Sequence, residues 1–231
     1  MSSIERIERR ILSRACLKTL SSGGRVRRGA WPRGTDAGSS SIDSSDRLQL
    51  PPRWGLSILL GRLVEISGHG ASAVLSAAMA LVREAQTLAG PVAWITPAGQ
   101  VFFPPDAAAC GVDLETLLVV RTRAGPELVQ AADIVLRSGG FDLVVLDQAA
   151  MSLADQTRCA GLARRHHTAV VCLTEKPADA SSLGPLIALR ADAARIRSDA
   201  GFGVRLRVIK DKRGAPGWQC EWACRAPAGL V

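Results

Sequence analysis

The sequence predicts an α/β fold in which a mostly parallel sheet has helices on both faces. Five apolar, β-prone runs occur one after another, and most intervals between them have helical periodicity. Continuous apolar strands that alternate with helices are typical of a parallel sheet buried on both sides. Three further strand-like segments, joined by turns that contain glycine, predict an antiparallel extension at one edge of the sheet.

The predicted elements follow one another in a regular order. Parallel strands are expected at the apolar runs 63–66, 92–95, 117–120, 143–146 and 169–173. Helices are expected near 71–89, 126–138 and 153–165. The strands of the antiparallel extension are expected at 195–197, 204–209 and 219–224. The apolar stretch that follows Gly184 has a helix-like pattern.

The chain divides into an N-terminal arm and a core domain. Its 231 residues are enough for one full core, which we place at residues 47–231. Residues 21–46 are rich in Ser, Gly and Arg and hold little apolar material, so they are predicted to be a flexible basic linker. Residues 1–20 are predicted to form an amphipathic helix with an apolar stripe that includes Ile4, Ile7 and Ile11. This stripe packs on a partner or back on its own core.

The positive charge is concentrated in the arm. The formal net charge of the chain is +8, and residues 1–35 hold eight Arg and one Lys against two Glu, a net +7. Such an arm contacts a phosphate backbone through counterion release, binds an acidic protein, or stays a solvated tail. Under the first alternative, the residues expected to contact DNA are Arg25, Arg27 and Arg28.

Two features of the predicted antiparallel extension leave alternatives open. Trp218 and Trp222 are four positions apart on a predicted strand and therefore share one face. They either cap the core or form an exposed patch that binds a partner. A set of basic residues either forms a contact surface or protects an edge strand from pairing. This set consists of Arg205, Arg207, Lys210, Lys212 and Arg213.

A strand, a loop of small residues and a helix follow each other between residues 61 and 76. A phosphate-binding loop has the pattern Gly-x4-Gly-Lys-Ser/Thr, in which backbone N–H groups and the Lys bind phosphates and the hydroxyl binds Mg²⁺. Gly68 stands at the first glycine, but the next three required positions hold Ala73, Val74 and Leu75. The stretch is either a nucleotide site that has lost its chemistry or an ordinary connection between a strand and a helix.

The segments that follow this loop favour the lost site. Residues 110–118 contain Gly-Val-Asp, residues 125–128 read Gly-Pro-Glu-Leu, and residues 136–150 contain Arg-Ser-Gly and Asp-Leu-Val-Val-Leu-Asp. In order, spacing and residue type, the chain from about Arg62 to Ala150 resembles the core of the bacterial RecA recombinases. This resemblance implies a RecA-like fold with a degenerate nucleotide site.

The resemblance also bears on ATPase chemistry. Asp147, at the end of an apolar strand, matches the Walker B carboxylate that assists Mg²⁺ binding in that family. Ala98 stands where that family has its catalytic Glu, so the base that activates a hydrolytic water is missing. The two DNA-contacting loops of the family correspond to residues 148–155 and 174–184, and both are short. We therefore expect a chain that is not an enzyme, performs no strand exchange, and holds no cofactor and no metal.

Among degenerate RecA-like proteins, the chain resembles the ImuA group, accessory proteins of a damage-induced (SOS) mutasome. That resemblance implies a non-catalytic adaptor in DNA damage response and error-prone translesion synthesis, with an ImuB-like protein, an error-prone polymerase or RecA as partner. The alternatives are a divergent recombinase paralogue that binds DNA and a SulA-like inhibitor of the division protein FtsZ. The expected partner-binding residues are Ile4, Ile7, Ile11, Trp218 and Trp222.

The sequence carries no signal for a membrane or for secretion. No run of about 20 apolar residues is free of Pro and charge. The chain starts Met-Ser-Ser-Ile-Glu-Arg, without an apolar signal region. We therefore expect a cytoplasmic protein that does not contact a membrane.

Overall fold

The described part of the chain lies within the predicted core domain. In the computed structural model, the described residues are 53–99, 102–123, 125–198 and 201–224. The predicted amphipathic helix 1–20 and linker 21–46 lie outside the described residues. The same holds for the arm residues that the sequence singles out, which are Ile4, Ile7, Ile11, Arg25, Arg27 and Arg28.

Within these ranges the chain forms eight strands and five helices. The strands are β1 (Leu63–Gly68), β2 (Val92–Pro97), β3 (Leu117–Thr122), β4 (Leu143–Leu146), β5 (Ala169–Glu175), β6 (Leu189–Ser198), β7 (Gly201–Asp211) and β8 (Gln219–Cys224). The helices are α1 (Leu56–Leu59), α2 (Val74–Thr87), α3 (Pro104–Ala109), α4 (Gly125–Arg137) and α5 (Leu153–His166). None of the described helices is both long and apolar enough to cross a membrane.

The strands form one mixed sheet in the order β3, β2, β4, β5, β1, β6, β7, β8. The pairs from β3 through to β6 are parallel, and β7 and β8 continue the sheet with antiparallel pairing. β1 lies inside the sheet, where Val64 pairs with Val171 of β5 and with Leu189 of β6. The predicted α/β fold, mostly parallel with an antiparallel C-terminal extension, is therefore confirmed.

Helices cover both faces of the parallel part of the sheet. On one face, α1 and α2 belong to the same buried cluster as Val64, Ile66 and Trp94. On the other face, α4 and α5 share a cluster with Leu63 and Ile95. Successive residues of a strand point to opposite faces, so a continuous apolar strand supplies both layers. This explains why the parallel strands show no polar alternation in the sequence.

The prediction of a helix-like run after Gly184 is wrong. The run leads into strand β6, which is also longer than the predicted segment 195–197. Leu189, Ala191 and Ala193 are buried at alternate positions because they share one face of the sheet and join the buried cluster that contains α2. Small apolar residues fit a helix or a strand, so strand pairing decides the outcome here.

Trp218 and Trp222 belong to the core of the protein. Trp222 is 9% exposed and lies opposite Val204 of β7, and Trp218 packs against the same buried cluster. The core-capping alternative therefore describes the pair. The alternative prediction, an exposed partner-binding patch at Trp218 and Trp222, is therefore wrong. The ring of Trp222 is buried against the sheet, and that of Trp218 is partly buried.

The basic residues of β7 do not protect an edge. β8 is the outer strand, so Arg205 and Arg207 lie on an interior strand with hydrogen-bonded neighbours on both sides. Arg205 Nε lies 2.6 Å from a carboxylate oxygen of Glu221. Lys212 Nζ donates to the carbonyl of Pro185 at 2.5 Å. Edge protection is therefore wrong for β7, and part of the positive charge of this basic set is satisfied within the chain.

A buried ion pair joins the start of β1 to the end of β7. The Arg62 guanidinium donates to Asp211 and, at 3.0 Å, to the carbonyl of Ala188. Burial, the largest effect, would raise the pKa of Asp211, yet the pKa is lowered because Arg213 N–H and Arg62 donate to the carboxylate. A carboxylate with a lowered folded-state pKa stabilises the protein above its ordinary pKa. That contribution is lost as the pH falls through the folded-state pKa.

We predict that Asp211→Asn lowers the free energy of unfolding by about 3 kcal/mol at neutral pH, because it removes the counter-charge of the buried Arg62. The loss begins to shrink below about pH 4, where Asp211 of the unfolded chain takes up a proton, and it disappears only below the lowered pKa of the folded state. Urea unfolding at neutral pH and at about pH 3 measures both effects. Glu221→Gln removes an exposed ion pair and is the matched control, with an expected cost below about 1 kcal/mol. Equal losses in the two variants would contradict the prediction.

Candidate functional site

The predicted phosphate-type loop lies at the carboxyl end of β1. β1 ends at Gly68, α2 begins at Val74, and residues 69–73 connect them. In α/β proteins, ligands bind in crevices outside the carboxyl ends of parallel strands. The order of strand, loop and helix is the one that the sequence predicts, although the helix begins at Val74 rather than near residue 71.

The backbone of this loop is bonded to β6. The N–H of Ala73 donates to the carbonyl of Ala193 at 3.0 Å, and the N–H of Arg195 donates to the carbonyl of Ala71 at 2.8 Å. Between these two bonds, residue 72 forms an antiparallel bridge with residue 194. The amide at the second-glycine position of a phosphate loop therefore already has an acceptor inside the protein. We call this arrangement the closed loop, residues 69–73.

Atoms of Ser72 and Ala193 pack tightly against Gly68, directly before the closed loop. A Cβ added at Gly68 would lie 2.6 Å from Ser72 Oγ and 2.7 Å from the carbonyl oxygen of Ala193. Ser72 Oγ also accepts a hydrogen bond from the Val74 N–H at 3.2 Å, and the Val74 side chain packs against the core. Leu75 stands at the position of the metal-binding hydroxyl and is 51% exposed. Neither side chain brings a charge or an oxygen to the loop.

Asp147, the predicted relic of a Walker B carboxylate, directly follows β4. It is 9% exposed, and Thr96 Oγ1 of β2 donates to its Oδ2 at 2.9 Å. Burial raises the pKa of Asp147, and the hydrogen bonds from Thr96 and from the Gln148 N–H oppose that rise without cancelling it. Among the described residues, no group of three or more His, Cys, Asp or Glu side chains is placed to hold a metal.

Ala98 occupies the position that the resemblance assigns to a catalytic Glu. It is exposed in the turn after β2, and its N–H donates to the carbonyl of Thr122 at 2.6 Å. Apolar side chains thus stand at Ala98, Val74 and Leu75, where a triphosphate site needs a base, a cation and a hydroxyl. The residues present do not fit a nucleoside triphosphate with its metal ion.

Comparison with known proteins identifies the family. Residues 38–171, more than half of the chain, match the RecA N-terminal domain. The chain belongs to the RecA N-terminal domain family. It is 39% identical over 90 residues to the RecA protein of Saccharopolyspora erythraea and 38% identical over 90 residues to that of Fusobacterium nucleatum. Each match covers 39% of this chain.

The RecA-family chain spans about a quarter of the length of these curated relatives, since the matches cover 26% and 24% of them. The predicted resemblance to RecA is confirmed, and the match to the family extends beyond the span 62–150 on which it was based. The resemblance to the ImuA group is a finer statement and remains a proposal.

The sequence prediction missed a cluster of buried charges beside the closed loop. Glu65 of β1 is 0% exposed, and Lys176 Nζ lies 2.5 Å from its carboxylate. Arg190 of β6 is 2% exposed and lies 4.0 Å from the same carboxylate. The signal that could have revealed this cluster was a single Glu inside an apolar strand. In a sheet covered on both faces, such a charge is buried and needs a partner of opposite charge.

We predict that Gly68→Ala lowers the free energy of unfolding by about 1 to 3 kcal/mol, because the new methyl group meets Ser72 and Ala193 in a packed site. Gly161→Ala is the matched control. Gly161 lies within α5, an added Cβ there has no neighbouring atom within 4 Å, and the change is expected to stabilise by about 0.5 to 1 kcal/mol. Chemical denaturation compares the two variants. An unchanged unfolding midpoint for Gly68→Ala would contradict a closed loop.

Proposed function

We propose that this RecA-family chain is a non-catalytic adaptor in the DNA damage response. Its relatives are RecA proteins and it has a RecA-like sheet, which supports a role connected with DNA repair or recombination. One observation carries the non-catalytic part: the Ala73 N–H of the closed loop donates to Ala193. The resemblance to the ImuA group supports the finer proposal, a role in error-prone translesion synthesis.

The residues of the closed loop and of the first turn of α2 argue against turnover of ATP. A triphosphate with Mg²⁺ requires a cation, a metal-binding hydroxyl and free backbone N–H groups in one place. Val74 and Leu75 supply neither the charge nor the hydroxyl, and the Asp147 carboxylate already accepts a hydrogen bond from Thr96. A phosphate group placed here would lose its hydration without gaining comparable partners.

The well-packed core supports a function that depends on the molecular surface rather than on a catalytic site. Both helical layers are present on the sheet, and Leu81, Trp94 and Leu146 are at most 1% exposed. Catalysis depends on the residues of a site, whereas recognition by a partner depends on the shape and chemistry of a surface. A chain with this fold and without phosphate-binding residues is therefore suited to recognition.

The proposed partners are an ImuB-like protein, an error-prone polymerase or RecA itself. The contact is proposed at Ile4, Ile7 and Ile11, because the apolar stripe of the predicted amphipathic helix would need a surface to bury against. Each buried side chain contributes about 1.5 to 3 kcal/mol before the costs of association. A weak contact with DNA phosphates is proposed at the linker residues Arg25, Arg27 and Arg28.

We predict that the chain does not bind ATP and Mg²⁺ with micromolar affinity and does not hydrolyse ATP, because the charge of the triphosphate has no cation at Val74. Titration calorimetry measures the binding, with the RecA protein of Saccharopolyspora erythraea as the positive control in the same buffer. A micromolar dissociation constant for this chain would contradict the proposal and favour a divergent recombinase paralogue.

We predict that replacing Ile4, Ile7 and Ile11 with Ser lowers damage-induced mutation several-fold in cells without changing growth in the absence of damage. The frequency of resistant colonies after ultraviolet irradiation measures this, in a strain that lacks the gene and is complemented with each variant. Asp147→Asn is the control variant, and it should support mutation at the parental frequency because the proposed adaptor needs no metal-binding carboxylate.

Two outcomes would contradict the adaptor. If the triple Ser variant supported mutation at the parental frequency, the proposed contact would be absent. If overproduction of the parental chain gave filamentous cells, and this effect required FtsZ, a SulA-like division inhibitor would replace the adaptor.

A further inference from the structure

Residues 177–186, between β5 and β6, form no helix or strand, yet many of their carbonyl groups are bonded to side chains of the protein. Irregular surface segments usually turn such groups to water. Side chains here donate to the carbonyls of Pro177, Ala180, Ser181, Leu183, Gly184 and Pro185. The segment is therefore bonded inward along much of its length.

A fully buried carboxylate holds the segment from the side of the sheet. Glu65 Oε1 accepts from Thr174 Oγ1 at 2.8 Å and lies 2.5 Å from Lys176 Nζ. Glu65 Oε2 accepts from the N–H of Leu183 at 2.8 Å. Lys176 Nζ also donates to the carbonyl of Ser181 at 2.7 Å. One carboxylate thus connects the end of β5 with the middle of the segment.

A buried guanidinium holds the first half of the same segment. Arg190 Nε donates to Ser67 Oγ at 3.1 Å, and its two Nη groups donate to the carbonyls of Ala180 and Pro177, the latter at 2.9 Å. Glu65 therefore faces two cations, Lys176 and Arg190, with a single negative charge. The carbonyl oxygens of the segment supply the remaining acceptors, because a buried cation requires full hydrogen bonding.

The second half of the segment is held from α5 and β7. Gln156 is 2% exposed, its Nε2 donates to the carbonyl of Leu183 at 3.3 Å, and its Oε1 accepts from the N–H of Leu186 at 3.3 Å. Lys210 Nζ donates to the carbonyl of Gly184 at 3.3 Å. Both halves of the segment are thus fixed by side chains from separate elements.

We infer that the Glu65 clamp, which consists of Glu65, Lys176 and Arg190, holds residues 177–186 in one fixed conformation at the carboxyl edge of the sheet. If the segment moved away, Glu65, Lys176 and Arg190 would each lose hydrogen-bond partners that the segment supplies. The clamp and the segment therefore stabilise each other, and no ligand is needed to order the segment.

The segment held by the clamp begins beside the closed loop. The N–H of Lys176 donates to the carbonyl of Gly68 at 3.1 Å, so the start of the segment is joined to the end of β1. The side chains that the segment and its neighbour Glu175 present to solvent are exposed: Glu175, Pro177, Asp179, Ser181 and Pro185. The role of the clamp in fixing the position of the segment does not depend on the proposed function.

Hydrogen exchange measured by mass spectrometry on the full chain tests the clamp. In Glu65→Gln, one carboxylate oxygen becomes an N–H donor, so the side chain no longer satisfies Leu183 and Lys176 together. We expect exchange in peptides covering residues 177–186 to rise at least about tenfold, while peptides from β2 and β4 keep their parental protection. Asp147→Asn is the matched control, because it alters a buried carboxylate that contacts Thr96 and not the segment. It should leave exchange in residues 177–186 unchanged.

A second variant keeps the test decisive if Glu65→Gln does not fold. Lys176→Met removes the partly exposed cation of the clamp, whose side chain is 19% exposed, and retains its length. It should raise exchange in residues 177–186 alone. Unchanged exchange in the segment, or an equal rise across all strands in either variant, would overturn the clamp as a local device.

Discussion

Strand β1 carries the interactions on which the rest of the structure depends. It lies between β5 and β6 with helices on both faces, so any polar group on it must find its partner within the protein. Arg62 at its start pairs with Asp211, and Glu65 at its centre pairs with Lys176. Gly68 at its end leaves room for the closed loop. The end of β7, the segment after β5 and the loop before α2 therefore take their positions from β1.

Two polar groups at the carboxyl edge of the sheet, the Ala73 amide and the Asp147 carboxylate, have hydrogen-bond partners within the chain. In a phosphate-binding loop the ligand accepts the hydrogen bonds of the loop amides. Here the Ala73 amide donates to Ala193, and the Asp147 carboxylate accepts from Thr96. Because an unpaired buried polar group is costly, loss of a ligand from such an edge has to be matched by internal partners. The internal partners of Ala73 and Asp147 are the physical basis for proposing a recognition role.

The accuracy of the sequence predictions follows the strength of the local signal. The parallel strands were predictable because β-branched residues favour strands, and short apolar runs without polar alternation are typical of a buried parallel sheet. The end of β6 was predicted as a strand at 195–197, but its first part was not, because Ala191 and Ala193 suit a helix as well as a strand. Trp222 carried an ambiguous signal as well, since an aromatic ring on a strand packs inward or outward according to the layer beneath it.

The sequence by itself determined the α/β fold, the family and the absence of phosphate-binding side chains at Val74 and Leu75, because these depend on residue type and spacing along the chain. Only the tertiary structure decided that the Ala73 amide is bonded to β6 and that Glu65 holds a segment more than 110 residues away, at Leu183. Hydrogen bonds and buried ion pairs join groups that are distant in sequence, and their partners are selected by burial and strand order. Local patterns carry no record of either.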